Sequence, residues 1–88
     1  MTVRVLIADD HPVVREGLRG MLAGEPDLEV VGEAADGDEA VRVAARARPD
    51  VVLMDLRMPG TDGVEATRLM SELDPAPAVL VITTYDTD

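Results

Sequence analysis

Val3-Arg4-Val5-Leu6-Ile7-Ala8, followed without a spacer by Asp9-Asp10-His11-Pro12, decides the fold of this chain. The first six residues are short, β-branched and apolar apart from Arg4, the profile of a strand covered on both faces. The four that follow break it. Pro12 suits the first turn of a helix, where its missing N–H costs nothing. Val14, Leu18, Met21 and Leu22 then fall at i, i+4, i+7 and i+8, which predicts one apolar helical stripe. Gly24 and Pro26 mark its end. A buried strand running straight into a helix is half of a crossover between parallel strands.

The same alternation continues along the chain. Leu28–Ala34 carries Glu29 and Glu33 among apolar residues, and with Gly32 it reads as a strand at a sheet edge. Gly37–Arg48 is alanine-rich, with Ala40, Val41, Ala44 and Ala45 on one helical face and Pro49 closing it. Val51–Met54 is a second wholly apolar strand and ends at Asp55. Met58-Pro59-Gly60-Thr61-Asp62-Gly63 is turn chemistry. A third helix follows, with Ala66, Leu69, Met70 and Leu73 in register, and Pro75 and Pro77 terminate it. Val79–Ile82 is the last strand, before Thr83 and Thr84.

The order β-α-β-α-β-α-β with short connections implies right-handed crossovers and a parallel sheet between helices. The first and third strands, being most apolar, belong in the middle, and the charged second strand at an edge. The expected architecture is α/β, a flavodoxin-like (CheY-like) doubly wound parallel sheet with strand order 2-1-3-4. Its crevice lies at the carboxyl ends of strands one and three.

Composition narrows the function. A chain of 88 residues is one small domain, burying about 60–65% of its unfolded surface. It has no cysteine, which excludes disulfides and thiolate metal sites. Asp and Glu total 18 against 8 Lys and Arg, a formal charge of −10 that works against nucleic acid and anionic membranes. Tyr85 is the single aromatic residue, so no base-stacking platform is available. No apolar run approaches a membrane span, and Met1-Thr2-Val3-Arg4 lacks a signal peptide's profile. A cytoplasmic location is expected.

The predicted sheet gives three acids one address. Asp9 and Asp10 follow the first strand and Asp55 ends the third, so all three meet at the switch point. Carboxylates so gathered repel, and a divalent cation is the usual remedy. An all-oxygen site without cysteine selects a hard ion, and Mg²⁺ suits an open site that keeps water. The competing reading makes Asp9 or Asp10 a helix cap and Asp55 a turn residue. A carboxylate beside Mg²⁺ is also a nucleophile toward phosphorus. Thr83 or Thr84 can supply a hydroxyl to the phosphoryl oxygens, or can merely reflect β-propensity. His11 reads as a solvated residue at the helix start. The Met58-Pro59-Gly60 turn either serves carbonyls to the metal or is only a turn.

These residues resemble the receiver domain of bacterial two-component response regulators. The resemblance rests on Val5–Pro12, Pro49–Gly63 and Val79–Thr84, and it runs in register from Val3 to the last residue. The wording Asp9-Asp10-His11-Pro12-Val13-Val14-Arg15-Glu16-Gly17-Leu18, with Tyr85-Asp86 after the threonines, is similar to the LuxR/NarL-type transcriptional regulators. The resemblance implies Asp55 as phosphoacceptor, Asp10 as a direct Mg²⁺ ligand and Asp9 as a ligand acting through water. It further implies the Arg57 backbone carbonyl as the third protein ligand and Thr83 as the switch hydroxyl. It implies a sensor histidine kinase as phosphoryl donor, docking partly on the first helix, with the receiver catalysing only its own phosphorylation and dephosphorylation.

Residues 1–88 then read as a partial receiver with the fifth strand absent. The family's phosphoryl-binding lysine has no counterpart, because the chain contains no lysine. The DNA-binding output domain is expected to be absent, and with it any contact to DNA. The exposed fourth strand is expected to draw the chain into a homodimer or larger assembly. Two rivals stand beside this reading. A phosphorylation-independent, receiver-like interaction module would leave the acids idle. An aspartate-nucleophile Mg²⁺ phosphatase needs an acid two residues after the nucleophile, where this chain has Arg57.

Overall fold

The computed structural model describes residues 1–56, 58 and 63–82. Seven elements alternate: β1 (Val3–Ala8), α1 (Pro12–Ala23), β2 (Leu28–Ala34), α2 (Gly37–Ala47), β3 (Val51–Asp55), α3 (Gly63–Met70) and β4 (Ala78–Ile82). The strands form one parallel sheet in the order β2-β1-β3-β4. This is the predicted topology, with the two apolar strands central and charged β2 at an edge.

Side-chain alternation splits the core into two faces. Leu6, Ala8, Val52 and Met54 join Ala40, Val43 and Ala44 of α2 and Ala66 and Met70 of α3 in one buried cluster. Val5 and Ile7, also buried, point to the opposite face, where α1 packs on β1 and β2. The buried positions of α2 are Gly37, Ala40, Val43 and Ala44, whereas Ala45 is exposed. The predicted stripe is therefore shifted by one helical edge. Ala47 and Leu73 contribute as half-buried members.

Helix α1 corrects another detail. Val14, Leu18 and Leu22 are half-buried, but Met21 is 73% exposed. Met21 and Arg15 lie about 60° to either side of Leu18 at 100° per residue. The helix turns toward Arg15, whose Nη1 donates to the Asp9 carbonyl at 2.6 Å, so Met21 rolls into solvent.

The ends of α2 show how local chemistry sets its limits. The Asp36 carboxylate accepts from Glu39 N at 2.7 Å, and Glu39 Oε1 accepts from Ala35 N at 2.7 Å, a near capping box. At the other end Arg48 leaves the helix with φ 51° and ψ 61°, one residue earlier than predicted. Pro49 disfavours a right-handed helical residue before it, and the left-handed turn lets Arg48 N donate to Ala44 O at 2.9 Å. A side chain there is strained, so Arg48→Gly is expected to stabilise the protein by about 0.5–1 kcal/mol. Chemical denaturation checks this, and an unchanged midpoint would contradict it.

Strand β4 has one poorly covered side. Val79 packs on the core cluster, while Leu80 is 60% and Val81 46% exposed. Among the described residues no strand pairs with its outer edge.

Candidate functional site

Parallel pairing of β1 with β3 sets Ala8 opposite Met54. The next residues, Asp9 on one strand and Asp55 on the other, therefore emerge side by side at the carboxyl edge. Asp9 and Asp55 are each 1% exposed, and Asp10, at the rim, is partly exposed. One ligand atom from each of Asp9, Asp10, His11 and Asp55 lies within 4.8 Å of the others. The three carboxylates read from the sequence are thus brought together as predicted. Arg57 and Thr83, the other two predicted site residues, lie outside the described residues.

The backbone holds Asp9 rigidly. Its N–H donates to Ala34 O of β2 at 3.0 Å, and its carbonyl accepts from Arg15. Its Oδ1 accepts from His11 N at 2.8 Å, which closes a local turn ahead of α1, whose N-cap His11 has no side-chain cap bond. Its other oxygen, Oδ2, is buried and has no hydrogen bond among the described residues. A buried carboxylate oxygen without a partner carries a large desolvation cost. The turn ahead of α1 explains one oxygen of Asp9; a nearby cation, reached directly or through water, explains the other. The donor set fits a hard divalent ion on this observation.

His11 is where the structure goes beyond the sequence reading. Its ring is 56% exposed, yet Nδ1 lies 2.9 Å from Asp9 Oδ1, 2.9 Å from Asp10 Oδ1 and 4.0 Å from Asp55 Oδ2. The hydrogen bond to Asp9, followed by the charge of Asp10, raises its pKa above the usual value. The available signal was its position, directly after the acid pair at a strand-to-helix corner. Two shallow depressions of about 130 and 100 Å³ lie elsewhere, lined by Arg15, Glu33 and Glu39 in one case and by Leu73 and Pro75 in the other. Neither contains a carboxylate of the cluster.

A family model described as the response regulator receiver domain matches residues 5–88. The chain belongs to the response regulator receiver domain family. The transcriptional regulatory protein LiaR of Bacillus subtilis is 49% identical over 86 residues, covering 98% of this chain and 41% of that protein. A two-component response regulator of the LuxR family from Aurantimonas sp. SI85-9A1 superposes with a TM-score of 0.88 at 44% identity, covering 98% of this chain and 61% of that one. The signal receiver domain of the putative response regulator NarL from Mycobacterium tuberculosis gives 0.87 at 41%, covering 97% and 68%. The receiver described here therefore spans less than half of LiaR and about two thirds of the solved chains. Its relatives include regulators of LuxR/NarL type, and the four-stranded 2-1-3-4 sheet is the receiver arrangement.

Proposed function

We propose that this receiver accepts a phosphoryl group on Asp55 in a Mg²⁺-dependent reaction, with a sensor histidine kinase as donor. The observation that carries the reading is the cluster of buried Asp9 and Asp55 with half-buried Asp10 at the switch point, one Asp9 oxygen having no hydrogen bond among the described residues. In this reading Asp10, Asp55 and the Arg57 backbone carbonyl hold the ion, with Asp9 acting through water. The bound ion supplies positive charge against the phosphoryl oxygens and lowers the repulsion among the acids.

Asp55 contributes the nucleophile. One carboxylate oxygen forms a bond to phosphorus while the bond from phosphorus to the donor breaks, and an acyl phosphate results. Placement at the end of a central strand fixes its line of approach, and burial limits attack by water on the product. Asp9 and Asp10 remain acceptors only, anchored by β1. Thr83 is assigned the hydroxyl that meets the phosphoryl group.

The proposal extends to partners. Val13 and Met21 leave apolar surface on α1 for a kinase to grip, and the exposed β4 edge supports a homodimer. DNA would be reached only through a separate output domain, since the charge of −10 repels phosphate. No described helix is long and apolar enough to cross a membrane, and a cytoplasmic location is proposed.

Intact mass after incubation with acetyl phosphate tests the reading. One added phosphate per chain, dependent on Mg²⁺, is expected. Free phosphate in excess of protein would instead indicate the phosphatase, and no reaction the interaction module. Separately, Asp10→Ala is expected to weaken Mg²⁺ binding at least tenfold in a calorimetric titration. Equal affinity in the two proteins would remove Asp10 from the ligand set.

A further inference from the structure

The position of His11 has no part in the chemistry proposed above, and its distances carry a second meaning. Around an octahedral ion with bonds of about 2.1 Å, adjacent ligand atoms are about 3.0 Å apart and opposite ones about 4.2 Å. His11 Nδ1 stands 2.9 Å from Asp9 Oδ1 and from Asp10 Oδ1, and 4.0 Å from Asp55 Oδ2. Seen from Nδ1, the three carboxylate oxygens thus stand at two adjacent spacings and one opposite spacing, and the approach to Asp9 Oδ1 is a hydrogen bond that an ion would replace. Asp9 is 1% exposed and its Oδ2 has no hydrogen bond among the described residues, which points independently to a cation at this corner.

We propose that His11 Nδ1 is a further protein ligand of this centre, engaged by divalent first-row transition ions and left aside by Mg²⁺. This inference rests on the reading that the acidic cluster holds a divalent cation. Ligand chemistry separates the two cases. Mg²⁺ prefers oxygen and keeps several waters, so a neutral imidazole gains little against a water molecule. Co²⁺, Ni²⁺ and their neighbours bind imidazole nitrogen well, with affinities rising along the series. For such an ion the imidazole would join Asp10, Asp55 and the Arg57 carbonyl in place of one water molecule.

The surroundings suit that role. The backbone N–H of His11 is already tied to Asp9 Oδ1, which fixes the Cα at the corner. Half-exposure of the ring leaves Nε2–H available to water, the partner that a metal-bound histidine ordinarily uses for its second nitrogen. The consequence is that the centre ranks ions by more than charge. A transition ion takes a ligand that the physiological hard ion does not use, and it is held correspondingly longer.

The test uses the untagged chain, Co²⁺ and proton NMR. His11 is the sole histidine, so any contact-shifted imidazole N–H resonance belongs to it. One such resonance at saturating Co²⁺, removed by excess Mg²⁺, is expected. Titrations should show His11→Ala losing at least tenfold in Co²⁺ affinity and less than threefold in Mg²⁺ affinity. Binding of Co²⁺ without a shifted imidazole resonance would overturn the inference and leave the phosphoacceptor reading untouched. An unchanged ratio of Co²⁺ to Mg²⁺ affinity in His11→Ala would do the same. Failure of the unmodified chain to bind either ion would overturn both.

Discussion

Asp55→Asn is expected to lose all phosphoryl uptake and, in metal-free buffer, to unfold at a higher temperature than the unmodified chain. Asparagine keeps the size of the side chain and removes only its charge and nucleophilic oxygen. Asp9 and Asp10 remain in place but are anchored to β1, away from the strand end that Asp55 occupies. The stability gain follows from repulsion. Two like charges about 4 Å apart cost between about 1 and 4 kcal/mol, depending on the effective dielectric. The net gain should fall near the lower bound, because the amide replaces an acceptor oxygen with a donor. At about 4–8 °C per kcal/mol for a domain of this size, thermal melting resolves it. Mg²⁺ should raise the melting temperature of the unmodified chain and have a smaller effect on the variant. Uptake at the normal rate by Asp55→Asn would remove the residue from the role assigned here. A melting temperature unchanged or lowered in chelator would show that the cluster is not strained by its own charge.

Gly63→Ala is expected to be the most damaging single methyl group in the fold. A Cβ at Gly63 would stand 2.7 Å from the Leu56 Cα and 2.6 Å from its Cδ2, with the Asp55 carbonyl at 3.2 Å. The Leu56 side chain can rotate away, but its Cα cannot. Relief requires α3 to back off the end of β3, which loosens Ala66 and Met70 in the core cluster. Overpacking of this kind costs about 1–3 kcal/mol, and backbone contact places the loss at the upper end. A melting temperature lower by about 10–20 °C is expected. Because β3 ends in Asp55, phosphoryl uptake should fall with it at temperatures where the variant is still folded. Contrast comes from Gly32, at the register shift of edge strand β2, whose nearest conflict is a side-chain methyl of α2, Val43 Cγ1 at 2.7 Å. Gly32→Ala should therefore cost less than Gly63→Ala. A Gly63→Ala variant as stable as the unmodified protein would show that α3 is not clamped to β3.

Much of this was legible in the chain because the strands announce themselves. Val51–Met54 and the run ending at Ala8 are too apolar for an edge, while Glu29 and Glu33 are too charged for the centre. Those contrasts are enough to order the sheet, and the order is enough to place Asp9, Asp10 and Asp55 together. Periodicity was less informative about helix rotation. It grouped Met21 with Leu18 and Ala45 with Ala44, but a stripe has two edges, and tertiary contacts choose between them. The Arg15 bond to the Asp9 carbonyl makes that choice for α1. His11 is solvated at the helix start, as expected, and its contact with the acids went unread for a related reason. Its residue type and its position at a helix start argue for solvent, and only the geometry of the corner turns Nδ1 onto the acids. Arg48 shows the limit at an element boundary, where Pro49 signals a stop without specifying the left-handed turn before it.

The central claim is that the phosphoryl group resides on one particular carboxylate of three. Borohydride reduction of the acyl phosphate, followed by peptide mass mapping, reads this directly. Protein treated with acetyl phosphate and Mg²⁺ should carry the reduced residue at Asp55, with no modification when the ion is chelated. Reduction at Asp9 or Asp10, or modification that persists without a divalent ion, would contradict the account.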